Sequence, residues 1–377
     1  MPAKTNFNNN GTQYYRVTAK VGTKPDGSPL RKQFLGANKR DAIAKRDEYL
    51  AQLKNGLAVD FDKGTFASAF KLWFEDIYRP SVSQSSYNRF ETEYRKRIVG
   101  CALCGMRLVE IRTAHIQAFY NLLLETCTPS TVHSTHKVLA GFFKYADETD
   151  LIGKNPLKGI KLPVKEKKTN TNAALSDYDI QKLKQVAHED MSSFIYLFAV
   201  FSGLREGEIL SLRHKDVDLG AGTISVSKSC KFLTVDGVYQ LVEGPPKTES
   251  SVRIVPILPQ LKPLLQKHIT NEREKHLRLG IPFTKNSVLF SSSVGTHREA
   301  ANVLKGLKKL FKRLEIEQAT FHSLRHTFCT LLAKQGVPLK TASVLMGHSD
   351  IGVTAKVYTH VDDTEKKKGI ERLSVYF

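Results

Sequence analysis

Residues 321–361 read FHSLRHTFCTLLAKQGVPLKTASVLMGHSDIGVTAKVYTHV, the densest run of reactive side chains in the chain. His322 and Arg325 are three positions apart, so on a helix HSLRHTFCTLLAKQ both project from one face. Leu324, Phe328, Leu331 and Leu332 give that helix an apolar side to anchor it. Gly336 and Pro338 are stop signals, after which LKTASVLMG reads as a second short helix. His348 follows at the turn, Ser349 or Asp350 can cap a third helix, and Tyr358 falls near its end.

These residue types suit phosphate chemistry. Arginine offers a planar fork of donors matched to phosphate oxygens, and imidazole donates a hydrogen bond or shuttles a proton near neutral pH. A phenol, with a pKa of about 10, is a poor nucleophile at pH 7, but cations beside the target phosphate favour its deprotonation. An isolated His-x-x-Arg on an amphipathic helix usually marks a surface salt-bridge face. The combination with a second histidine and a tyrosine is a more specific pattern. HSLRHTF, MGHSD and Tyr358 resemble the carboxy-terminal signature of the tyrosine recombinases, the phage-integrase family.

The chain has 377 residues, enough for two or three domains, with 41% hydrophobic and 25% charged residues, an ordinary globular composition. Lys and Arg number 57 against 37 Asp and Glu, a formal charge of +20. The cations are spread along the whole length, which fits a protein lying along a polyanion on several surfaces. No basic amphipathic helix, apolar run of membrane-spanning length or signal-peptide core stands out, so nucleic acid is the expected partner. Five cysteines, an odd number, argue for reduced thiols and a cytoplasmic, nucleoid-associated location.

Residues 1–60 read as a small α+β unit. YYRVTAKV and LRKQFLG flank a turn at KPDGSP, and a helix KRDAIAKRDEYLAQLKNG follows, with Ala42, Ile43, Tyr49, Leu50 and Leu53 at helical spacing. The unit resembles the arm-binding domain of phage and conjugative-transposon integrases, a three-stranded sheet plus helix. Arg16, Lys20, Arg31 and Lys32 are its candidate DNA contacts.

Residues 64–160 read as four amphipathic helices, the first placing Phe66, Phe70, Trp73, Phe74 and Ile77 along one stripe. The plan resembles the all-α core-binding domain of the recombinases. Arg89, Arg95, Lys96, Arg97, His133, His136 and Lys137 offer it a cationic face, although helix charge is commonly just solvated surface. Cys101 and Cys104 form a CxxC without a second ligand pair, and nearby His115 reads as structural, so no metal is expected. Residues 161–173 are polar and aperiodic, an interdomain linker. Ser176 and Asp179 form a capping box that opens the last domain, residues 174–377.

In that domain MSSFIYLFAVFSGLREGEILSLRHKDVDL reads as a buried helix, a turn at Ser202-Gly203 and a second helix carrying Arg205, Glu208 and Leu212. GLREGEIL resembles the family segment supplying the first catalytic arginine, which assigns Arg205 to the scissile phosphate and Glu208 to a supporting charged hydrogen bond. TISVSKS, GVYQLVEG and SVRIVPIL read as three strands of a small antiparallel sheet. Lys247 lies on the turn before the last, where the family's lysine is the general acid. Tyr376 is also carboxy-terminal, but its setting ERLSVYF is apolar, and the tail is expected to pack on its own or a neighbouring subunit.

The resemblance therefore implies a multidomain, mainly α recombinase that integrates and excises a mobile element. Tyr358 would be the nucleophile, with Arg205, Lys247, His322, Arg325 and His348 around the phosphate and no cofactor. It further implies a homotetramer on core and arm attachment sites, with an excisionase and a host DNA-bending protein. A chromosome-dimer-resolving recombinase, which generally lacks the arm domain, and a type IB topoisomerase-like enzyme are the competing readings. A catalytically silent DNA-binding regulator would not need the complete residue set.

Overall fold

A computed structural model describes residues 7–9, 12–23, 29–54, 64–165, 174–246, 249–317 and 320–358. The chain divides into two compact units, residues 1–167 and 168–377.

In the first unit, β1 (Phe7–Asn9), β2 (Thr12–Thr23) and β3 (Pro29–Gly36) form an antiparallel three-stranded sheet, and α1 (Lys39–Lys54) packs on it. Phe34 and Ala42 are buried between them, and the Phe34 and Tyr49 rings meet edge to face at 5.1 Å. Small size is offset by aromatic and cation–π contacts: Lys32 Nζ lies 4.0 Å over the Tyr49 ring and Arg16 4.4 Å over Phe7.

The helical part runs α2 (Phe66–Leu72), α3 (Arg79–Ser81), α4 (Gln84–Glu93), α5 (Thr113–Thr126) and α6 (Pro129–Glu148). A π-helical stretch, Trp73–Tyr78, joins α2 to α3, so the first expected helix is continuous but not uniform. The wider turn delays the apolar face by about one residue. Ile77, expected on the stripe, is 42% exposed, and Tyr78 takes its place, stacked on Phe90 at 5.0 Å and on Phe74 at 5.6 Å.

In the second unit Ser176 caps α7 (Asp177–Glu189) as expected: its Oγ accepts from the Asp179 N–H at 3.1 Å, while the Asp179 carboxylate accepts from the Ser176 N–H at 3.3 Å. Next come α8 (Phe194–Ser202), buried almost all round, and the short α9 (Glu206–Ser211). Arg205 stands in extended conformation at the cap of α9 instead of inside it.

The expected single sheet is two sheets. Strands β4 (Val217–Asp218), β5 (Thr223–Val226) and β8 (Arg253–Pro256) form one, and β6 (Ser229–Val235) with β7 (Val238–Gly244) the other. The cause is the two-residue turn Asp236-Gly237, with φ of 49° and 81°, the positive values of a type I′ hairpin turn. It pairs CKFLTV, unassigned from sequence, with VYQLVEG, so β7 and β8 are not hairpin partners.

Helices α10 (Lys262–Arg278), α11 (Ala300–Arg313), α12 (Phe321–Lys334), α13 (Leu339–Met346) and α14 (Ile351–Tyr358) complete the unit. The last three match the reading of residues 321–361. Thr320 caps α12, Gly336 and Gly347 end α12 and α13 with φ of 68° and 63°, and Asp350 accepts from the Gly352 N–H at 2.8 Å to open α14.

On α10, His268 is buried against Phe290 and Phe194 and hydrogen-bonds the Leu289 carbonyl at 2.8 Å. Burial holds its pKa down at about 4, against the opposing pull of Glu272 and the Leu289 carbonyl, with Arg298 and Lys275 also lowering it. The unfolded chain therefore binds more protons than the folded one between pH 6.5 and 4. The stability from keeping this ring neutral is fully present above pH 6.5 and lost as pH falls towards 4, roughly 2 kcal/mol by pH 5. Thermal melts from pH 7.5 to 5 should show a shallower decline for His268→Gln than for the wild type; parallel declines would refute this.

Candidate active site

The site is assembled at the carboxyl end of α13. Five consecutive carbonyls there, from Ser343 to Gly347, are all taken. Those of Ser343 and Val344 accept from the N–H groups of His348 (3.1 Å) and Gly347 (3.0 Å) in a Schellman-type turn. The next three each accept from a different arginine: Leu345 from Arg253 Nε at 2.8 Å, Met346 from Arg325 at 2.5 Å and Gly347 from Arg205 at 2.7 Å. A helix carboxyl end carries partial negative charge, so it holds guanidinium groups well.

Gly347 is required here on two counts. Its φ of 63° is left-handed, and a Cβ would lie 2.9 Å from the Arg253 guanidinium.

Arg325 is 2% exposed and also donates to the Gly203 carbonyl at the end of α8, at 2.6 Å. Burial and the neighbouring Arg205 depress its pKa, yet a guanidinium stays charged at neutral pH. Arg205 donates to Glu208 Oε1 at 2.7 Å and to Ser251 Oγ at 3.2 Å. Glu208, 1% exposed, accepts from the Arg205 backbone N–H and side chain and from both terminal nitrogens of Arg253, at 3.3 and 3.0 Å. Burial alone would raise its pKa; hydrogen bonds from Arg253 and Arg205 outweigh that and keep it ionised.

Both expected histidines join this group. His348 shares a 2.8 Å hydrogen bond with Thr354 Oγ1, which is fully buried on α14, and loss of hydration followed by Arg325 and Arg205 brings its pKa down to about 4. His322 is exposed on α12, and partial loss of hydration, then Arg325, His326 and Arg205, lowers its pKa. Both rings are therefore neutral at pH 7.

Tyr358 is placed differently from the expectation. It is the last described residue of α14, half-buried, and its hydroxyl donates to the Val337 carbonyl at 3.0 Å. Burial, then Cys329, raises its pKa, so nothing here activates the phenol. The structure thus unites Arg205, Glu208, His322, Arg325 and His348, with Tyr358 turned to the loop ahead of α13. Lys247, Tyr376 and the tail after Tyr358 lie outside the described residues.

Two participants were missed in the sequence. The sequence marks Arg253 only as part of a strand, yet β8 alternates buried and exposed residues and Arg253 sits on the buried face with Val255. A lone charge on the inward face of an alternating strand was the available signal. Thr354 carried no signal at all.

The candidate DNA contacts lie in the first unit. Arg31, Lys32, Arg89, Lys96 and Lys137 are exposed, Arg16 half-buried, and the Lys20 side chain lies outside the described residues. Arg95 and Arg97 pair with Glu91 and Glu93, each at 3.3 Å. His133 bonds the Pro163 carbonyl and His136 the Tyr120 hydroxyl, both at 2.9 Å, so each ties local structure together. Cys101 and Cys104 have sulfurs 3.8 Å apart, and His115 accepts from the Arg112 N–H at the start of α5, the structural role expected of it. Among the described residues no group of three or more His, Cys, Asp or Glu could hold a metal ion, and no helix is long and apolar enough to cross a membrane.

Comparison with known proteins gives the family. Residues 174–365 match the phage integrase family, and residues 65–124 match the phage integrase N-terminal SAM-like domain. A XerC-like tyrosine recombinase from Caldanaerobacter subterraneus is 35% identical over the full length of both chains. The ICEBs1 integrase of Bacillus subtilis is 29% identical, covering 95% of this chain and 96% of its own. Among solved structures, the Tn1549 transposon integrase in complex with circular intermediate DNA superposes with a TM-score of 0.68 over 81% of this chain and 99% of that one, at 22% identity. The chain belongs to the phage integrase family and is a site-specific tyrosine recombinase, a DNA strand-transferring enzyme.

Proposed function

We propose that this recombinase integrates and excises a mobile element through a 3′-phosphotyrosyl intermediate. The observation that carries the proposal is the pair Arg205 and Arg325, fixed side by side on the Gly347 and Met346 carbonyls with two neutral histidines beside them. A guanidinium has five N–H donors, so these bonds leave donors for the non-bridging oxygens of a phosphodiester.

In the proposed reaction Tyr358 Oη attacks the phosphorus and the bond to the 5′ oxygen breaks. Neutral His322 is able to accept the phenolic proton, His348 hydrogen-bonds a phosphate oxygen, and Lys247 protonates the departing 5′ oxygen. A 5′ hydroxyl from a partner strand reverses the steps, which conserves the phosphodiester and needs neither nucleotide nor metal. Tyr358 first has to leave the Val337 carbonyl, a loss of about 1 kcal/mol that phosphate contacts can offset.

Residues 1–60 are proposed to bind arm sites through Arg16, Lys20, Arg31 and Lys32, and residues 64–160 core sites through Arg89, Arg95, Lys96, Arg97, His133 and Lys137. Residues 161–173 would link them to the catalytic domain, residues 174–377. Support for the mobile-element assignment comes from relatives described as the ICEBs1 integrase and the transposase of Tn916, the latter from Enterococcus faecalis and 26% identical over 90% of this chain. A homotetramer, an excisionase and a DNA-bending host protein complete the proposal; a solved lambda integrase tetramer is bound to a Holliday junction.

Three variants test this. With a nicked duplex selected by the chain from a randomised pool, in EDTA, the wild type forms a covalent adduct and Tyr358→Phe forms none while still binding. Arg325→Lys slows adduct formation by roughly 10²–10³-fold, the cost of one lost transition-state donor. An adduct surviving in Tyr358→Phe would sink the nucleophile assignment. Deleting residues 1–60 spares cleavage of the selected core duplex and impairs integration in cells; equal loss of both would contradict the arm assignment.

A further inference from the structure

We propose that Arg253 is a positioning residue for strand cleavage, clamping Glu208 to the carboxyl end of α13 so that Arg205 and His348 are held in their reactive places. The inference rests on the roles proposed above for those two residues. Arg253 makes no use of solvent: its side chain is 4% exposed, and its three nitrogens are all spent inside the protein. Nε donates to the Leu345 carbonyl at 2.8 Å, one terminal nitrogen to the Ser251 carbonyl at 2.9 Å, and both terminal nitrogens to the Glu208 carboxylate. One planar group thus joins three pieces of chain: β8, the start of α9 and the turn that ends α13.

Each piece it joins bears on the phosphate-binding group. Glu208 is the carboxylate against which Arg205 is aligned, and Ser251, two residues before Arg253, receives a further hydrogen bond from Arg205 at 3.2 Å. The Leu345 carbonyl lies three residues before His348, within the turn that also binds Arg325 and Arg205. Contact between Arg253 and Gly347 is so close that no side chain fits at that glycine. A buried carboxylate facing Arg205, Arg253 and Arg325 is ionised because those cations surround it. Arg253 supplies two of its charged hydrogen bonds.

Replacement by lysine would keep the charge but not the fork. An ammonium can meet Glu208 or Leu345 but cannot bridge Glu208, Ser251 and Leu345 in one plane. Arg205 and His348 would then drift by a fraction of an ångström to an ångström, and misplacement on that scale costs up to about 10²-fold in rate.

The test uses the full chain and the nicked duplex described above, with single-turnover adduct formation at saturating DNA. Arg253→Lys should fold, bind the duplex within about threefold of the wild type, and form the adduct roughly 10–100-fold more slowly. In Arg253→Met, Glu208 loses its main partner and its carboxyl takes up a proton more readily. Adduct formation should then show an added fall as pH drops from 8 to 6, beyond any that the wild type shows through His322. Adding Glu208→Gln to Arg253→Met should remove that pH dependence, an effect a merely structural arginine would not produce. If Arg253→Met does not fold, the lysine variant decides. Cleavage by Arg253→Lys within twofold of wild type, or a loss confined to DNA affinity, overturns the proposal. Absence of a Tyr358-dependent adduct in the wild type would instead overturn the catalytic reading beneath it.

Discussion

Three guanidinium groups lie within one turn of backbone, and like charges so close repel strongly unless something holds them. The holding is done by the carboxyl end of α13. A helix leaves its last carbonyls without partners, and here arginines from three other elements take them. One buried carboxylate, Glu208, balances part of the charge. The balance is incomplete, which leaves the site positively charged and ready for an anion. The same interaction that finishes the helix therefore creates the site proposed to bind the phosphate.

That construction explains why the remaining parts are short and abrupt. Gly347 lets the chain turn through a left-handed conformation with Arg253 pressed against it, and His348 emerges at once into the site. Asp350 then opens α14, whose buried Thr354 reaches back to fix the His348 ring. At the end of this helix, among the described residues, the half-buried Tyr358 rests its hydroxyl on the Val337 carbonyl through a neutral hydrogen bond. Arg205 and Arg325 are each locked by two or more charged hydrogen bonds, while the hydroxyl of the proposed nucleophile is held by a neutral one. A rigid pair of arginines beside a releasable phenol suits the proposed reaction, in which the strand is cut only when DNA is in place.

Much of the chemistry was legible because the motifs are local. His322 and Arg325 share a helix, and His348 and Tyr358 follow within 36 residues of His322, so stop signals and caps were enough to order the three helices. Strands were harder. CKFLTV went unassigned although Asp236-Gly237 between apolar runs is a strong hairpin signal, and with it went the division into two sheets. A period of 3.6 residues per turn puts Ile77 on the core face, and the π-helical stretch Trp73–Tyr78 turns that position outward. Such a stretch is set by packing, here a stack of Phe74, Tyr78 and Phe90, which no periodicity reveals.

By itself the sequence determined the family, the multidomain mainly α architecture, the three terminal helices with their caps, and the residue types available to bind a phosphate. Those features depend on spacing, turn chemistry and side-chain identity, all of which are local. Tertiary structure alone decided that Arg253 stands beside Arg205 and Arg325, that Glu208 serves two arginines at once, and that Tyr358 rests on Val337. The first two join segments 45 or more positions apart, and the third depends on how α14 packs. Such contacts follow from which surfaces pack together, so they exist only once the core has closed.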